Sequence, residues 1–164
     1  NIDSFKNPFA YRLNIANGLE TKETVVDLVE TFNYLIGLTV CSISAKAYFD
    51  VEPVYDENRP GKVKLNAREY GRGEYVFKEV EGILQTGEKV LIIWRNMTDD
   101  IAKDNAALDA YFEKKGYNTR DFEYDRIYVN GDNNLPNLKL ADETWKVVLI
   151  EEEFKKKMFD VQEL

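Results

Sequence analysis

The sequence has no histidine and a single cysteine in 164 residues. Without histidine there is no Ser-His-Asp or Cys-His machinery, no HNH-type nuclease centre, no His-ligated zinc and no ordinary proton shuttle near neutral pH. One cysteine closes no internal disulfide and builds no structural zinc site. Cys41 lies in the apolar stretch Leu38-Thr39-Val40-Cys41 and is expected as a buried small hydrophobe in a reducing compartment. No apolar run approaches the roughly eighteen residues that span a membrane, and no basic-then-apolar leader opens the chain. A cytoplasmic protein without a membrane partner is expected. The chain starts at Asn1 instead of Met, which suggests a piece of something longer.

What is present suits a packed core. Hydrophobic residues make up 44% and aromatics 13%, too apolar for a disordered tail, and the length fits one domain over residues 1–164. Lys plus Arg number 22 against 30 Asp plus Glu, a net charge of -8. Phosphate contacts reward positive charge, so the surface as a whole is a poor nucleic-acid binder, and only a local basic patch could serve.

Periodicity then divides the chain. Residues 8–16 alternate as a strand does, and Asn17-Gly18 offers a turn. From Thr24 to Leu38, Val25, Leu28, Val29, Phe32, Leu35 and Ile36 share one helical face, with Thr21 or Thr24 as cap and Gly37 near the end. Val40 to Val51 alternates again, and Pro53, Pro60 and Gly61 mark a loop. Lys62–Leu65 and Glu74–Ile83 flank Tyr70-Gly71-Arg72-Gly73, which reads as a hairpin. Lys89–Arg95 is a strand buried on both faces. Thr98 caps a helix with Ile101, Leu108 and Phe112 inward and Lys114-Lys115-Gly116 at its end. A strand at Asp125–Val129 follows, and Val147–Ile150 leads into a charged helix. The strand-helix-strand unit of the second half is expected to be parallel. The fold class is therefore α/β, a single domain with a mixed β-sheet.

Few motifs carry chemistry. Asn7-Pro8-Phe9 is similar to the Asn-Pro-Pro-aromatic loop of amino-methyltransferases, but one proline and the preceding buried strand are missing, and a turn explains it. Tyr70-Gly71-Arg72-Gly73 is followed by strand-like residues, not the helix start that a cofactor loop needs. Asp99/Asp100 and Glu151-Glu152-Glu153 suit helix starts, and no Asp…Glu-x-Lys nuclease spacing is convincing. Two candidates remain. Arg59, Lys62, Lys64, Arg68, Arg72 and Lys78, interleaved with Tyr70 and Tyr75, form a basic segment suited to DNA contact; the alternative is a solvated ribbon. Arg95, Asn130, Asp132, Asn133 and Asn134 end two neighbouring strands, where α/β sheets place ligands; the alternative is turn stabilisation. Asn105 interrupts the inner helix face and is expected to tie the helix to one of these loops.

Several segments in order resemble the region after the catalytic domain in methyltransferase subunits of type III restriction-modification systems. They are Thr24–Leu38, Val90–Arg95, Asp104-Asn105-Ala106-Ala107-Leu108, Tyr128–Pro136, and Trp145 to Phe159. The resemblance implies a prokaryotic parent enzyme that moves a methyl group from S-adenosylmethionine to the exocyclic amine of adenine in DNA. The family's aromatic-x-Gly-x-Gly and Asp-Pro-Pro-Tyr loops are missing, so no catalytic, cofactor-binding or metal residue is carried over. This chain would be the non-catalytic C-terminal domain, partnered by the catalytic domain of the same polypeptide, a second methyltransferase subunit, a restriction subunit, or DNA. The competing reading is a small α/β enzyme or ligand-binding domain working at Arg95 and Asn130–Asn134.

Overall fold

The computed structural model describes residues 5–10, 12–17, 20–25 and 27–162, with backbone alone for 12–17, 20–25 and 161–162. A short 3-10 turn at Pro8–Ala10 precedes an antiparallel pair, β1 (Arg12–Asn17) and β2 (Glu20–Val25). Expected features here shift. Residues 8–10 turn instead of extending, Thr21 and Thr24 lie in a strand, and Gly18 falls outside the described residues. The helix, α1, is confined to Leu28–Leu35, capped by the Asp27 carboxylate, which accepts from the Glu30 amide. The Thr-rich Glu20–Val25 finds an antiparallel partner, which outweighs the helical spacing that its Val25 shares with α1.

Among the described residues the main sheet has seven strands. They are β3 (Thr39–Ile43), β4 (Ala47–Tyr55), β5 (Val63–Glu69), β6 (Tyr75–Ile83), β7 (Lys89–Arg95), β8 (Arg126–Val129) and β9 (Val147–Leu149). The order is β5-β4-β6-β7-β8-β9, with β3 lying against the far half of β6. The run expected as one strand from Val40 to Val51 is thus broken at Ser44–Lys46, where the Ser44 hydroxyl accepts from the Glu79 amide. Pro53 sits inside β4, where β5 is the partner on one edge and β6 has already ended at Phe49. A missing N–H is harmless at such an edge.

The expected hairpin through Tyr70–Gly73 is not formed. β5 pairs with β4, and residues 70–73 carry the chain across the end of β4 to reach β6. Gly73 makes the crossing feasible, since a Cβ there would collide with the Phe49 carbonyl and amide.

Two helices complete the second half: α2 (Ile101–Lys115) and α3 (Ile150–Gln162). β7 and β8 are parallel, as the strand-helix-strand pattern implied, and β9 adds a further parallel strand beside β8. β7 serves both faces. Leu91 and Ile93 pack with Ala107, Leu108, Tyr111 and Phe112 of α2, while Val90, Ile92 and Trp94 pack with Phe32 of α1 and Ile150 of α3. Each such side chain contributes about 1.5–3 kcal/mol by leaving water. The sheet is therefore the middle of three layers. The α2 cap is Asp100, not Thr98, and Ile101, expected on the inner face, points to solvent. α3 takes Ile150 as its first residue, so β9 stops at Leu149.

Candidate functional site

β7, β8 and β9 end side by side, and Arg95 is the last residue of β7. Its side chain is 1% exposed. Nε donates to the Asn130 carbonyl at 2.9 Å, and one terminal nitrogen donates to the carbonyls of Gly131 at 3.2 Å and Asp132 at 3.1 Å. The other reaches the Asp104 carbonyl at 3.5 Å. Burial pulls the guanidinium below its ordinary pKa, and the Asp104 and Glu151 charges oppose that. Asn130 is fully buried. Its Oδ1 accepts from the Arg95 amide, and its Nδ2 donates to the carbonyls of Arg95 and Phe5. The side chain thus continues the β7–β8 ladder past Val129, where the main chain turns away.

The turn is made by Gly131, with φ +83°, where a side chain would also strike Met97. Its amide donates to both oxygens of Glu151 at 3.1 and 2.8 Å. Burial raises the Glu151 pKa, partly offset by hydrogen bonds from its own amide and that of Gly131. On the α2 side, the Asp104 carboxylate accepts from the Thr98 amide and hydroxyl and from the Tyr75 hydroxyl at 2.7 Å. Burial lifts the Tyr75 hydroxyl pKa above its ordinary value.

A cavity of about 590 Å³ opens above this arrangement, with Met97, Ile101 and Leu149 as apolar lining and Lys6, Asp132 and Glu151 among its polar groups. Of the expected residues, Arg95, Asn130 and the Asp132 carbonyl converge, but on each other. Asn133 closes its own loop, donating to the Gly131 carbonyl and accepting from the Leu135 amide. Asn134 is exposed. Asn105 does not tie α2 to a loop through its side-chain oxygen, which is buried without a partner; Asp104, one residue earlier, holds that position. Among the described residues no group of His, Cys, Asp and Glu could hold a metal ion.

The basic segment is split by the sheet. Lys64 and Arg68 alternate along β5, opposite Val54 and Asp50. Arg68 meets Glu52 at 3.7 Å and lies over the Tyr70 ring. Arg59 and Lys62 occupy the β4–β5 turn, with Arg59 at 3.9 Å from Asp56. Arg72 is exposed in the crossing after β5. Lys78 lies elsewhere, in a groove with Val29 and Asn33 of α1, so it does not join the others. Strand alternation accounts for this: Phe77 and Glu79 face α2, and Lys78 faces away.

Spacing alone does not single out Glu79, which is 6% exposed. It accepts from the hydroxyls of Tyr111, at 2.5 Å, and Tyr117, with Lys115 at 3.3 Å. Burial and this carboxylate raise both tyrosine pKa values. The one signal in the sequence is its place on the inward phase of β6 after Tyr75 and Phe77. Cys41, expected to be buried, is exposed on β3, which among the described residues pairs with β6 alone.

No protein-family model, curated protein or solved structure matches this chain. Among the described residues no helix is long and apolar enough to cross a membrane.

Proposed function

We propose that this chain is the non-catalytic C-terminal domain of a site-specific, adenine-N6 DNA methyltransferase of a restriction-modification system, working in subunit assembly and in DNA contact. The observation that carries the non-catalytic reading is the commitment of the strand-end polar groups to backbone. Arg95 is spent on four carbonyls and Asn130 on three main-chain groups. The place where an open α/β sheet usually presents chemistry is here a fastening between loops. The identity of the parent rests on the ordered resemblance from Thr24 to Phe159. In this reading S-adenosylmethionine belongs to the catalytic domain of the same polypeptide, and no residue of this chain is assigned to it.

DNA contact is assigned to Arg59, Lys62, Lys64, Arg68 and Arg72, without Lys78. The test is fluorescence anisotropy on duplex DNA across a salt series. Binding should weaken with salt, and Arg68→Glu/Arg72→Glu should flatten the log–log slope by roughly 0.9 for each phosphate the variant no longer neutralises. Lys78→Gln should bind as the unaltered chain does. Absence of binding at low salt would remove DNA from the proposal and leave assembly alone.

The cavity above Arg95 favours a second reading, a small-ligand site. A ligand there would alter Lys6, Asp132 or Glu151 in a spectroscopic titration, and Ile101→Glu would abolish the response.

A further inference from the structure

We infer that the cavity at the ends of β7, β8 and β9 takes an aliphatic diamine or polyamine, with its methylene chain on the apolar lining and its ammonium groups beside the surrounding carboxylates. The inference deepens the small-ligand reading of this cavity and rests on it.

Position argues for a ligand, and the groups around it argue against an anion. The cavity lies beyond the carboxyl ends of parallel strands, where open α/β sheets receive small molecules. Its volume of about 590 Å³ is that of an ordinary ligand pocket. α2 and α3 both begin at its walls, with Ile101 from the one and Glu151 from the other. Two helix N-termini ordinarily select an anion. Here the chain supplies both with carboxylates of its own. Asp100 caps α2 by accepting from the Lys103 amide at 3.1 Å, and Asp104 accepts from the Thr98 amide. Glu151, in the first turn of α3, accepts from the Gly131 amide. The Arg95 guanidinium beneath is turned to carbonyls. An anionic ligand would meet carboxylates where it needs donors.

Charge and shape select the occupant. The carboxylates of Asp99, Asp104, Asp132, Glu151 and Glu152 line the cavity against the ammonium groups of Lys6 and Lys155 alone. Lys6 is itself paired with Asp99 at 3.1 Å. Asp132 and Glu152 are exposed, and the net charge of -8 draws cations towards the whole chain. These carboxylates come from three places: the β7–α2 connection and start of α2, the loop after β8, and the start of α3. They do not converge as metal ligands do, since among the described residues no group of His, Cys, Asp and Glu could hold a metal ion. The same walls carry Met97, Ile101 and Leu149. Met97 rests against Gly131, and Ile101 is 73% exposed, an apolar side chain left in water at the cavity. Dispersed negative charge around apolar side chains suits a cation whose charges are separated by methylenes, which gain by leaving water.

The test uses hexane-1,6-diamine beside adipate and hexane-1,6-diol, chains of similar length that are cationic, anionic and neutral. The chain has two methionines, so methyl-labelled protein gives two signals: Met97 in the cavity and Met158 on α3 outside its lining. The diamine should move the Met97 methyl resonance saturably and leave Met158 in place, and the other two compounds should move neither. Asp132→Asn/Glu152→Gln should weaken the diamine about tenfold, as the loss of two exposed ion pairs allows. Its melting profile should be unchanged, because both side chains are exposed. Glu57→Gln/Glu123→Gln removes the same charge at exposed sites outside the cavity and should bind as the unaltered chain does. A Met97 response to adipate or the diol as strong as to the diamine overturns the cation and leaves a small-ligand site. No response to any of the three overturns both. Equal weakening in the two double variants, or equal movement of Met158, would show general attraction to an acidic surface and overturn the inference.

Discussion

Asn130 and Arg95 hold each other in three hydrogen bonds: amide to Oδ1 at 2.9 Å, Nδ2 to carbonyl at 2.7 Å, and Nε to carbonyl at 2.9 Å. An asparagine side chain takes over from the β7–β8 ladder at the point where β8 bends into its loop. Asn130→Ala leaves the Arg95 amide and carbonyl and the Phe5 carbonyl buried without partners. Each orphaned group costs about 1–3 kcal/mol, so urea unfolding should show a loss of about 3 kcal/mol or more. Asn130→Asp keeps the acceptor but sets a buried carboxylate against the Arg95 and Phe5 carbonyls, and should cost at least as much as Asn130→Ala. A loss below about 1 kcal/mol for Asn130→Ala would mean that water or the loop replaces these bonds at little expense.

The crossing from β5 to β6 gives a sharper contrast. Gly73 lies against the Phe49 backbone, while nothing approaches Gly71 within 4 Å. Gly73→Ala has no flexible side chain to displace, so β4 itself must move, and overpacking of this kind costs about 1–3 kcal/mol or more. Gly71→Ala should fall within about 0.5 kcal/mol of the unaltered chain. Equal effects at the two positions would refute the route assigned to residues 70–73. Thermal unfolding of both variants decides it.

The second half of the chain was legible because its elements are buried by their own neighbours. Val90–Trp94 is an apolar run that both helical layers need, and Gly116 caps α2 in the left-handed conformation expected of it. The first half was less legible because its elements depend on distant partners. Glu20–Val25 is a strand only because β1 lies beside it, and β5 joins β4 although the chain offers β6 as the nearer partner across the turn. Alternation tells which side a residue faces, not which strand lies alongside. The candidate site shows the same limit. Arg95 and Asn130 could be named from their places after two apolar runs, but spacing could not show that they would bond to each other. Asn105 and Asp104 are adjacent, and the helix phase alone did not say which would face the Thr98 turn.

Glu79 is a carboxylate inside the α2 layer, and its hydrogen bonds make that burial tolerable. Glu79→Ala would leave the hydroxyls of Tyr111 and Tyr117 without their acceptor and open a void beside the stacked Phe77 and Tyr111 rings. A loss of about 2–4 kcal/mol is expected. Tyr117→Phe removes one donor of the pair and should cost about 1 kcal/mol. Because both changes act on one bond, the double variant should lose less than the sum of the single losses. Strict additivity would show that Tyr117 does not contribute through Glu79.

Glu151 supplies the pH dependence. Burial raises its pKa above the ordinary 4.5, with the Gly131 amide pulling the other way. The folded state therefore holds this proton to a higher pH than the unfolded chain does. The stability that comes from binding it is fully present below the unfolded pKa and is lost as pH rises through the folded value. Glu151→Gln keeps an oxygen for the Gly131 amide and carries no charge to desolvate. Relative to the unaltered chain, the variant should gain stability as pH climbs from about 4.5 towards neutrality, the unperturbed carboxyl range being its lower bound. Urea midpoints of both proteins at several pH values measure this. A difference that stays flat across that range would mean that the Gly131 bond compensates burial fully, and a difference of opposite sign would mean that the charged carboxylate is the preferred partner of the loop.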